Sequence, residues 1–248
     1  MSDVLRFIDE NLGRFRTELY DFLRIPSISA KSEHDGDTRS AAEWFSSRLG
    51  EAGLATEIVE TSGHPVVLGE WRGAGTEAPT VLIYGHYDVQ PPEPLELWES
   101  PPFEPTERDG RIYARGAADD KGQLYMHVKA LEAHFASGSK LPINVIVVAE
   151  GEEEVGSPNL VPFIEANRDR LACDIVLISD TGMFAEGLPS LLFSLRGLAY
   201  FEIHVHGARS DLHSGEYGGA VKNPGNALAQ IIASLHDADG KIAVPGFY

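Results

Sequence analysis

Three short, mainly apolar segments constrain the fold of this chain more than any other feature of its sequence. They lie at residues 80–84, 143–149 and 174–179 and read TVLIY, INVIVVA and DIVLIS. Segments of this length and composition are typical of strands that are buried on both faces of a parallel sheet. Helical patterns at 120–138 and 158–170 alternate with them. The sequence therefore predicts an α/β fold with a mostly parallel sheet sandwiched by helices.

Polar and acidic residues follow each predicted strand at its carboxyl end. His86 and Asp88 come after the first strand. The stretch 150–154 follows the second strand, and Asp180 follows the third. Open α/β sheets bind ligands at the carboxyl ends of their strands, and parallel strands bring those ends together. We therefore expect these side chains to converge on one site.

The stretch 150–154 reads EGEEE and places four carboxylates within five residues. Such like charges repel one another unless water hydrates them or a cation neutralises them. A solvated surface loop and a bound dication are both compatible with this stretch taken alone. With a dication, one glutamate can act as a ligand and its neighbour as a base.

Two other motifs are ambiguous by themselves. His86 and Asp88, two residues apart, fit a hydrogen-bonded pair at a strand end, or a carboxylate that fixes the orientation of an imidazole. Asp119 and Asp120 precede a predicted helix. They fit either N-capping or a carboxylate that bridges two cations near a helix N-terminus.

Together these motifs supply one imidazole and several carboxylate oxygens, which is the ligand mixture of a zinc or manganese pair. Two metals about 3.5–4 Å apart lower the pKa of a shared water and polarise a carbonyl. A glutamate that is not a ligand then serves as general base and proton shuttle. The sequence thus predicts a hydrolytic site with two divalent ions, Zn²⁺ or alternatively Mn²⁺.

The charge of the chain excludes several classes of partner. The formal net charge is −18 over 248 residues, and the sequence has no basic stripe that could bind the phosphates of a nucleic acid. The same charge disfavours adhesion to anionic membranes.

Cys173 is the single cysteine, in an apolar setting that predicts a core residue. With no apolar run of spanning length and no secretory signal pattern, we expect a cytoplasmic protein.

Five motifs, in this order and spacing, resemble those of the M20 metallopeptidases: YGHYDVQP, RGAADDKGQ, EGEEEVGS, LISD and DLHSGEYGG. The chain most closely resembles the N-terminal portion of the branch that contains the cytosolic non-specific dipeptidase and carnosinase. The resemblance implies the di-zinc exopeptidase fold, a homodimer and a dipeptide substrate.

The resemblance also implies the metal ligands. His86 and Asp180 would bind one metal, and Asp119 would bridge both metals. Glu154 would complete the ligand set of the other metal. The peptide bond between Asp119 and Asp120 would be cis, as it is in relatives.

Three further residues would act in catalysis by the same resemblance. Glu153 would be the general base, and Asp88 would be the carboxylate behind the ligand histidine. His213, in the motif DLHSG, resembles the histidine that relatives lend to the partner subunit's active site. There it would help to stabilise the oxyanion of the tetrahedral intermediate.

Two domains are expected, a catalytic metallopeptidase domain at 1–187 and the beginning of a lid or dimerisation domain at 188–248. Alternating residues from Ala199 onward predict a half-exposed antiparallel strand. Asn223 and Pro224 predict the start of a helix. Members of the resembled family continue further and supply a last metal-binding histidine and a substrate-binding arginine, to which no residue here corresponds.

The predicted function is that of a metal-dependent dipeptidase. Glu153 would deprotonate the attacking water and pass the proton to the leaving amine. Hydrolysis of another amide, such as that of an N-acyl or N-succinyl amino acid, is an alternative of the same class. A non-catalytic metal-binding module and an acidic domain whose carboxylates only face solvent are alternatives of other classes.

Overall fold

The computed structural model describes residues 2–248, and the chain divides into two compact units. The first unit ends at Leu191 and the second begins at Leu192. The predicted division lies slightly earlier, at 187/188. Its assignment of the two segments to a catalytic and a lid domain stays a prediction.

Within residues 2–191 the first unit has four α-helices and seven strands. The helices are α1 (Ser2–Arg24), α2 (Asp35–Ala52), α3 (Lys121–Ala136) and α4 (Leu160–Ala166). The strands are β1 (Ala55–Val59), β2 (Val66–Trp71), β3 (Thr80–His86), β4 (Thr106–Arg108), β5 (Arg111–Tyr113), β6 (Asn144–Glu150) and β7 (Ile175–Ile178). Short 3₁₀ helices lie at Ser32–His34, Leu95–Leu97 and Glu153–Val155.

Five strands form one sheet in the order β1-β2-β6-β3-β7. β3 is parallel to both of its neighbours, whereas β2 is antiparallel to β1 and β6. Four strands therefore run in one direction and β2 runs against them, which confirms the predicted α/β fold class. The sequence analysis did not predict β1 and β2, whose hairpin extends the sheet beyond β6.

β6 shows how both faces of the sheet are covered. Val145, Val147 and Ala149 belong to the core cluster that includes side chains of α1, α2 and α3. Ile146 and Val148 point to the other face and join the cluster that contains Phe163 of α4. Every residue of β6 is buried, as its apolar sequence predicts for a central strand.

β7 forms as predicted, but the prediction that it is buried was wrong. It lies at the end of the sheet, and β3 is its one partner among the described strands. Ile175, Val176 and Ile178 are 57%, 55% and 53% exposed. Cys173, predicted as a core residue, is partly exposed. An apolar sequence specifies a strand, whereas its burial depends on what packs against the sheet at that position.

The second unit contains α5 (Ser214–Tyr217) and α6 (Pro224–Ser234). α6 begins as predicted, because the Asn223 side chain accepts hydrogen bonds from the backbone N–H of Gly225 at 2.8 Å and of Asn226 at 3.4 Å. The strand predicted from Ala199 does not form, and residues 191–207 have no regular secondary structure. Alternation produces a strand only where a neighbouring strand supplies hydrogen bonds and its apolar face is covered.

None of the described helices combines the length and the apolar character that crossing a membrane requires.

Candidate metal centre

The strand ends of the first unit bring the predicted site residues together. His86 is the last residue of β3, and its partner across the parallel ladder is Glu150 at the end of β6. Asp180 follows β7, the other neighbour of β3. Asp119 stands just before α3, two residues ahead of its first residue. The arrangement is the one expected at the carboxyl ends of parallel strands.

Two groups of side chains that share His86 could each hold a metal ion. One group adds Asp119 and Asp180, the other adds Glu153 and Glu154, and the ligand atoms of each group lie within 4.8 Å of one another. His86 Nε2 is 3.1 Å from Asp119 Oδ1 and 3.7 Å from Asp180 Oδ2. Imidazole nitrogen and carboxylate oxygen are ligands that Zn²⁺ and Mn²⁺ accept. The donor set therefore fits divalent ions.

Asp88 is fully buried beside His86. Its Oδ1 is 3.3 Å from His86 Nδ1, and the same nitrogen lies 3.1 Å from the Asp88 carbonyl oxygen. The backbone N–H groups of Glu153 and Glu154 donate to this carboxylate at 3.3 and 3.2 Å. Asp88 therefore contacts both the imidazole and the turn that carries the two glutamates, and it can orient them together.

Negative charge is concentrated around this one imidazole. Burial by itself lowers the pKa of His86, but the hydrogen bond to Asp88 and the charges of nearby aspartates outweigh it and raise that pKa to about 10. Burial, and then repulsion from neighbouring carboxylates, raises the pKa values of Glu153, Glu154 and Asp180, although His86 opposes these shifts. A divalent ion would remove the repulsion between these carboxylates.

The four glutamates of EGEEE divide into two pairs. Glu150 and Glu152 are 2% and 7% exposed, and neutral side chains hydrogen-bond to them. The hydroxyls of Tyr84 and Ser157 donate to Glu150, the latter at 2.8 Å. The Asn159 amide donates to both oxygens of Glu152, at 3.1 and 2.8 Å. The alternative of a fully solvated loop is therefore wrong for Glu150 and Glu152. Of the four glutamates, Glu153 and Glu154 are the two that belong to a candidate ligand group.

Two residues of the centre were not assigned a place there from the sequence. Asp120 Oδ2 accepts a hydrogen bond from the His86 backbone N–H at 3.2 Å, and burial raises the pKa of Asp120 to about 7. Gln90 donates from Nε2 to Glu154 Oε2 at 2.8 Å. The position of Gln90 inside the motif YGHYDVQP is the one signal that could have found it. The peptide bond between Asp119 and Asp120 is cis, as the resemblance implies.

His213 belongs to the second unit. It is the N-cap residue of α5, and its Nδ1 accepts a hydrogen bond from the Gly215 backbone N–H at 3.1 Å. This contact explains its local conformation, and its assignment to an active site stays a prediction.

The comparison with protein families matches residues 82–241 to the model described as peptidase family M20/M25/M40. The chain belongs to this family. The Cys-Gly metallodipeptidase dug1 of Schizosaccharomyces pombe is 36% identical over 259 aligned positions, which cover 99% of this chain and 54% of that protein. Human Beta-Ala-His dipeptidase is 38% identical over 186 positions, or 74% of this chain and 36% of that protein. These relatives confirm the resemblance to the dipeptidase branch.

Solved structures agree with this placement. The dipeptidase Dug1p from Saccharomyces cerevisiae has a TM-score of 0.78 and 30% sequence identity, with 99% of this chain and 54% of that chain covered. The chain thus spans about half the length, or less, of the relatives it matches.

Proposed function

We propose that this chain carries the metal-binding and general-base residues of a dipeptidase that uses two divalent ions. The observation that supports the proposal best is the convergence on His86 of four carboxylates, those of Asp119, Asp180, Glu153 and Glu154. The names of the relatives, a Cys-Gly metallodipeptidase and a Beta-Ala-His dipeptidase, support the substrate class.

His86, Asp119 and Asp180 would hold one ion, and Asp119 and Glu154 would contribute to the other. Zn²⁺ is the proposed ion, with Mn²⁺ as the alternative, since both accept these ligands. When bound, the ions would polarise the scissile carbonyl and lower the pKa of the attacking water. Gln90 holds the Glu154 carboxylate at 2.8 Å, which suits a ligand of fixed orientation.

The contacts of His86 set the tautomer that a ligand needs. Nδ1 faces the carbonyl and carboxylate oxygens of Asp88, which accept its hydrogen. To bind an ion, Nε2 would give up its proton, and it would then hold the ion together with Asp119 and Asp180, the other members of its group.

Glu153 would be the general base. It lies next to Glu154 on the turn that Asp88 anchors, so a base and a ligand occupy adjacent positions. Burial raises the pKa of Glu153, which moves it toward the range in which a carboxylate accepts and returns a proton efficiently near neutral pH. Glu153 would take a proton from the attacking water and give it to the leaving amine.

The remaining parts of the proposal rest on the resemblance. They are a homodimer, a lid domain that begins in the second unit, a cytoplasmic location, and a role for His213 at the partner subunit's site. The motif DLHSGEYGG supports the last of these.

The test measures bound zinc and manganese together with hydrolysis of Cys-Gly, β-Ala-His and an N-acetyl amino acid. We expect about two ions per chain and dipeptide cleavage that a chelator abolishes. Glu153→Gln should keep the metal and lose roughly 10²–10⁴-fold in rate, because it cannot accept a proton. Glu165→Gln on the exposed side of α4 is the matched control and should behave as the wild type.

The other outcomes identify the alternatives. Faster cleavage of the N-acetyl amino acid would favour a deacylase of the same family. Bound metal without turnover of any substrate, even with the C-terminal half of a relative supplied, would favour a non-catalytic module. Wild-type rates in Glu153→Gln would remove Glu153 from the base role.

A further inference from the structure

A segment that lies far from the candidate metal centre in sequence contacts Asp88, the carboxylate next to His86. The segment 25–29 follows α1, and its last residue, Ser29, donates a hydrogen bond from Oγ to Asp88 Oδ2 at 2.6 Å. No motif in the sequence connects Ser29 with the centre, because 59 positions separate it from Asp88.

Several hydrogen bonds hold this segment in place. The Ser27 hydroxyl donates to the Tyr87 carbonyl at 2.7 Å, and the Val89 N–H donates to the Ser27 carbonyl at 2.9 Å. The buried Lys121 ammonium donates to the Ile25 carbonyl at 2.7 Å. The backbone that leads to Ser29 is therefore held by hydrogen bonds to Tyr87, Val89 and Lys121 before any ligand binds.

Asp88 is the residue through which Ser29 can act on the centre. Its carboxylate is fully buried, so bulk water cannot replace a donor that is lost. Oδ2 accepts hydrogen bonds from Ser29 and from the Glu154 N–H, while Oδ1 contacts His86 and the Glu153 N–H. A carboxylate that loses the Ser29 hydroxyl can rotate, and that rotation would change its contacts with the imidazole and with the turn.

We propose that Ser29 is a positioning residue of the metal centre, which acts by fixing the Asp88 carboxylate between His86 and the Glu153–Glu154 turn. The inference rests on the proposed function, because it takes His86 as a ligand and Glu153 as the base.

The test compares Ser29→Ala with Ser29→Thr in the full chain. Zn²⁺ affinity is measured by competition with a chromophoric chelator, and dipeptide hydrolysis is measured separately. We expect Ser29→Ala to weaken Zn²⁺ binding about tenfold, at the low end of the effects of residues behind a ligand histidine. Its kcat should fall while KM changes little. Ser29→Thr keeps the hydroxyl and should retain wild-type affinity.

Thr38→Val is the matched control. Thr38 is fully buried, whereas Ser29 is partly buried, and the Thr38 hydroxyl donates to the His34 carbonyl at 3.0 Å, away from the centre. This variant loses a buried hydroxyl and should keep wild-type Zn²⁺ affinity even if its melting temperature falls. If Ser29→Ala does not fold, Ser29→Cys replaces it with the same expectation, since a thiol is a weak donor.

Each result bears on a different claim. Wild-type affinity in Ser29→Ala would overturn the positioning role and leave the proposed function intact. Equal losses in Ser29→Ala and Ser29→Thr, or in Thr38→Val, would show a packing effect and would also overturn it. Absence of Zn²⁺ binding by the wild type would overturn the proposed function itself.

Discussion

Two clusters of charged side chains lie along α3 in the first unit, and they differ in their balance of charge. At the start of the helix, the candidate metal centre surrounds His86 with carboxylates. Further along, Lys129 lies 2.6 Å from Glu18 of α1 and 2.6 Å from Glu132, and Arg14 lies 2.8 Å from Glu18. We call this second group, with Arg14, Glu18, Tyr125, Lys129 and Glu132, the α1–α3 cluster.

The pKa shifts of the two clusters run in opposite directions. Burial by itself raises the pKa of Glu18, but hydrogen bonds from Lys129, Tyr125 and Arg14 outweigh it and lower that pKa to about 2. In the metal centre the pKa values of Glu153 and Glu154 are raised. Cations of the protein itself pair with Glu18, whereas burial and neighbouring carboxylates raise the pKa values of Glu153 and Glu154. The first cluster is a structural ion network, and the second is a site where a cation would relieve the repulsion.

The largest expected effect on stability comes from removing the cation of the α1–α3 cluster. Lys129→Met would leave Glu18 and Glu132 without the ammonium that contacts both. We expect the free energy of unfolding in urea to fall by about 3–5 kcal/mol. Lys140→Met, at an exposed position, is the control and should change it little. An equally small effect of Lys129→Met would mean that the cluster is not a stabilising network.

Acid should reveal the same cluster through a smaller loss of stability. The pKa of Glu18 is about 2 in the folded state, against 4.5 as its ordinary value. Its contribution to stability is therefore present above about pH 4.5 and is lost as the pH falls toward 2. Urea unfolding between pH 2 and 6 should show this loss in the wild type. Glu18→Gln should be less stable above pH 4.5 and should lack that component of the pH dependence.

Zn²⁺ should stabilise the folded protein through the candidate metal centre and not through the α1–α3 cluster. At a free Zn²⁺ concentration of about 100 times Kd, the free energy of unfolding should rise by about 2.7 kcal/mol, and a chelator should reverse the gain. Lys129→Met should show the same gain as the wild type, because the two clusters share no partner. A smaller gain in this variant would show that the clusters are coupled.

The smallest expected change in the free energy of unfolding is an increase, whereas most substitutions decrease it. The pKa of Glu154 is raised in the folded state, so the metal-free protein loses stability as the pH rises through that pKa. Glu154→Gln removes this charge and should stabilise the metal-free protein at neutral pH by about 0.5–1 kcal/mol. The same variant should lose most of the stabilisation by Zn²⁺. Destabilisation of the metal-free variant would contradict the view that the charge of this carboxylate is unfavourable in the absence of metal.

Much of the fold and the chemistry is encoded in local sequence. The apolar segments of β3 and β6 and the Asn223–Pro224 start of α6 depend on residues adjacent in the chain, and each forms as predicted. The motifs at the strand ends likewise name side chains that lie together at the candidate metal centre, because parallel strands leave little choice about where those ends meet. The roles of these residues, and that of His213, stay predictions.

Other features depend on contacts between residues that are distant in the chain. Apart from the family resemblance, the sequence shows no difference between Glu152 and Glu153, yet Asn159 hydrogen-bonds to the first and the second belongs to a candidate ligand group. It does not indicate that Ser29 reaches Asp88 or that β7 is exposed. Composition and periodicity determined which elements form and which chemical groups they carry. Only the tertiary structure decided which charges are paired, because pairing and burial depend on neighbours that folding brings from elsewhere in the chain.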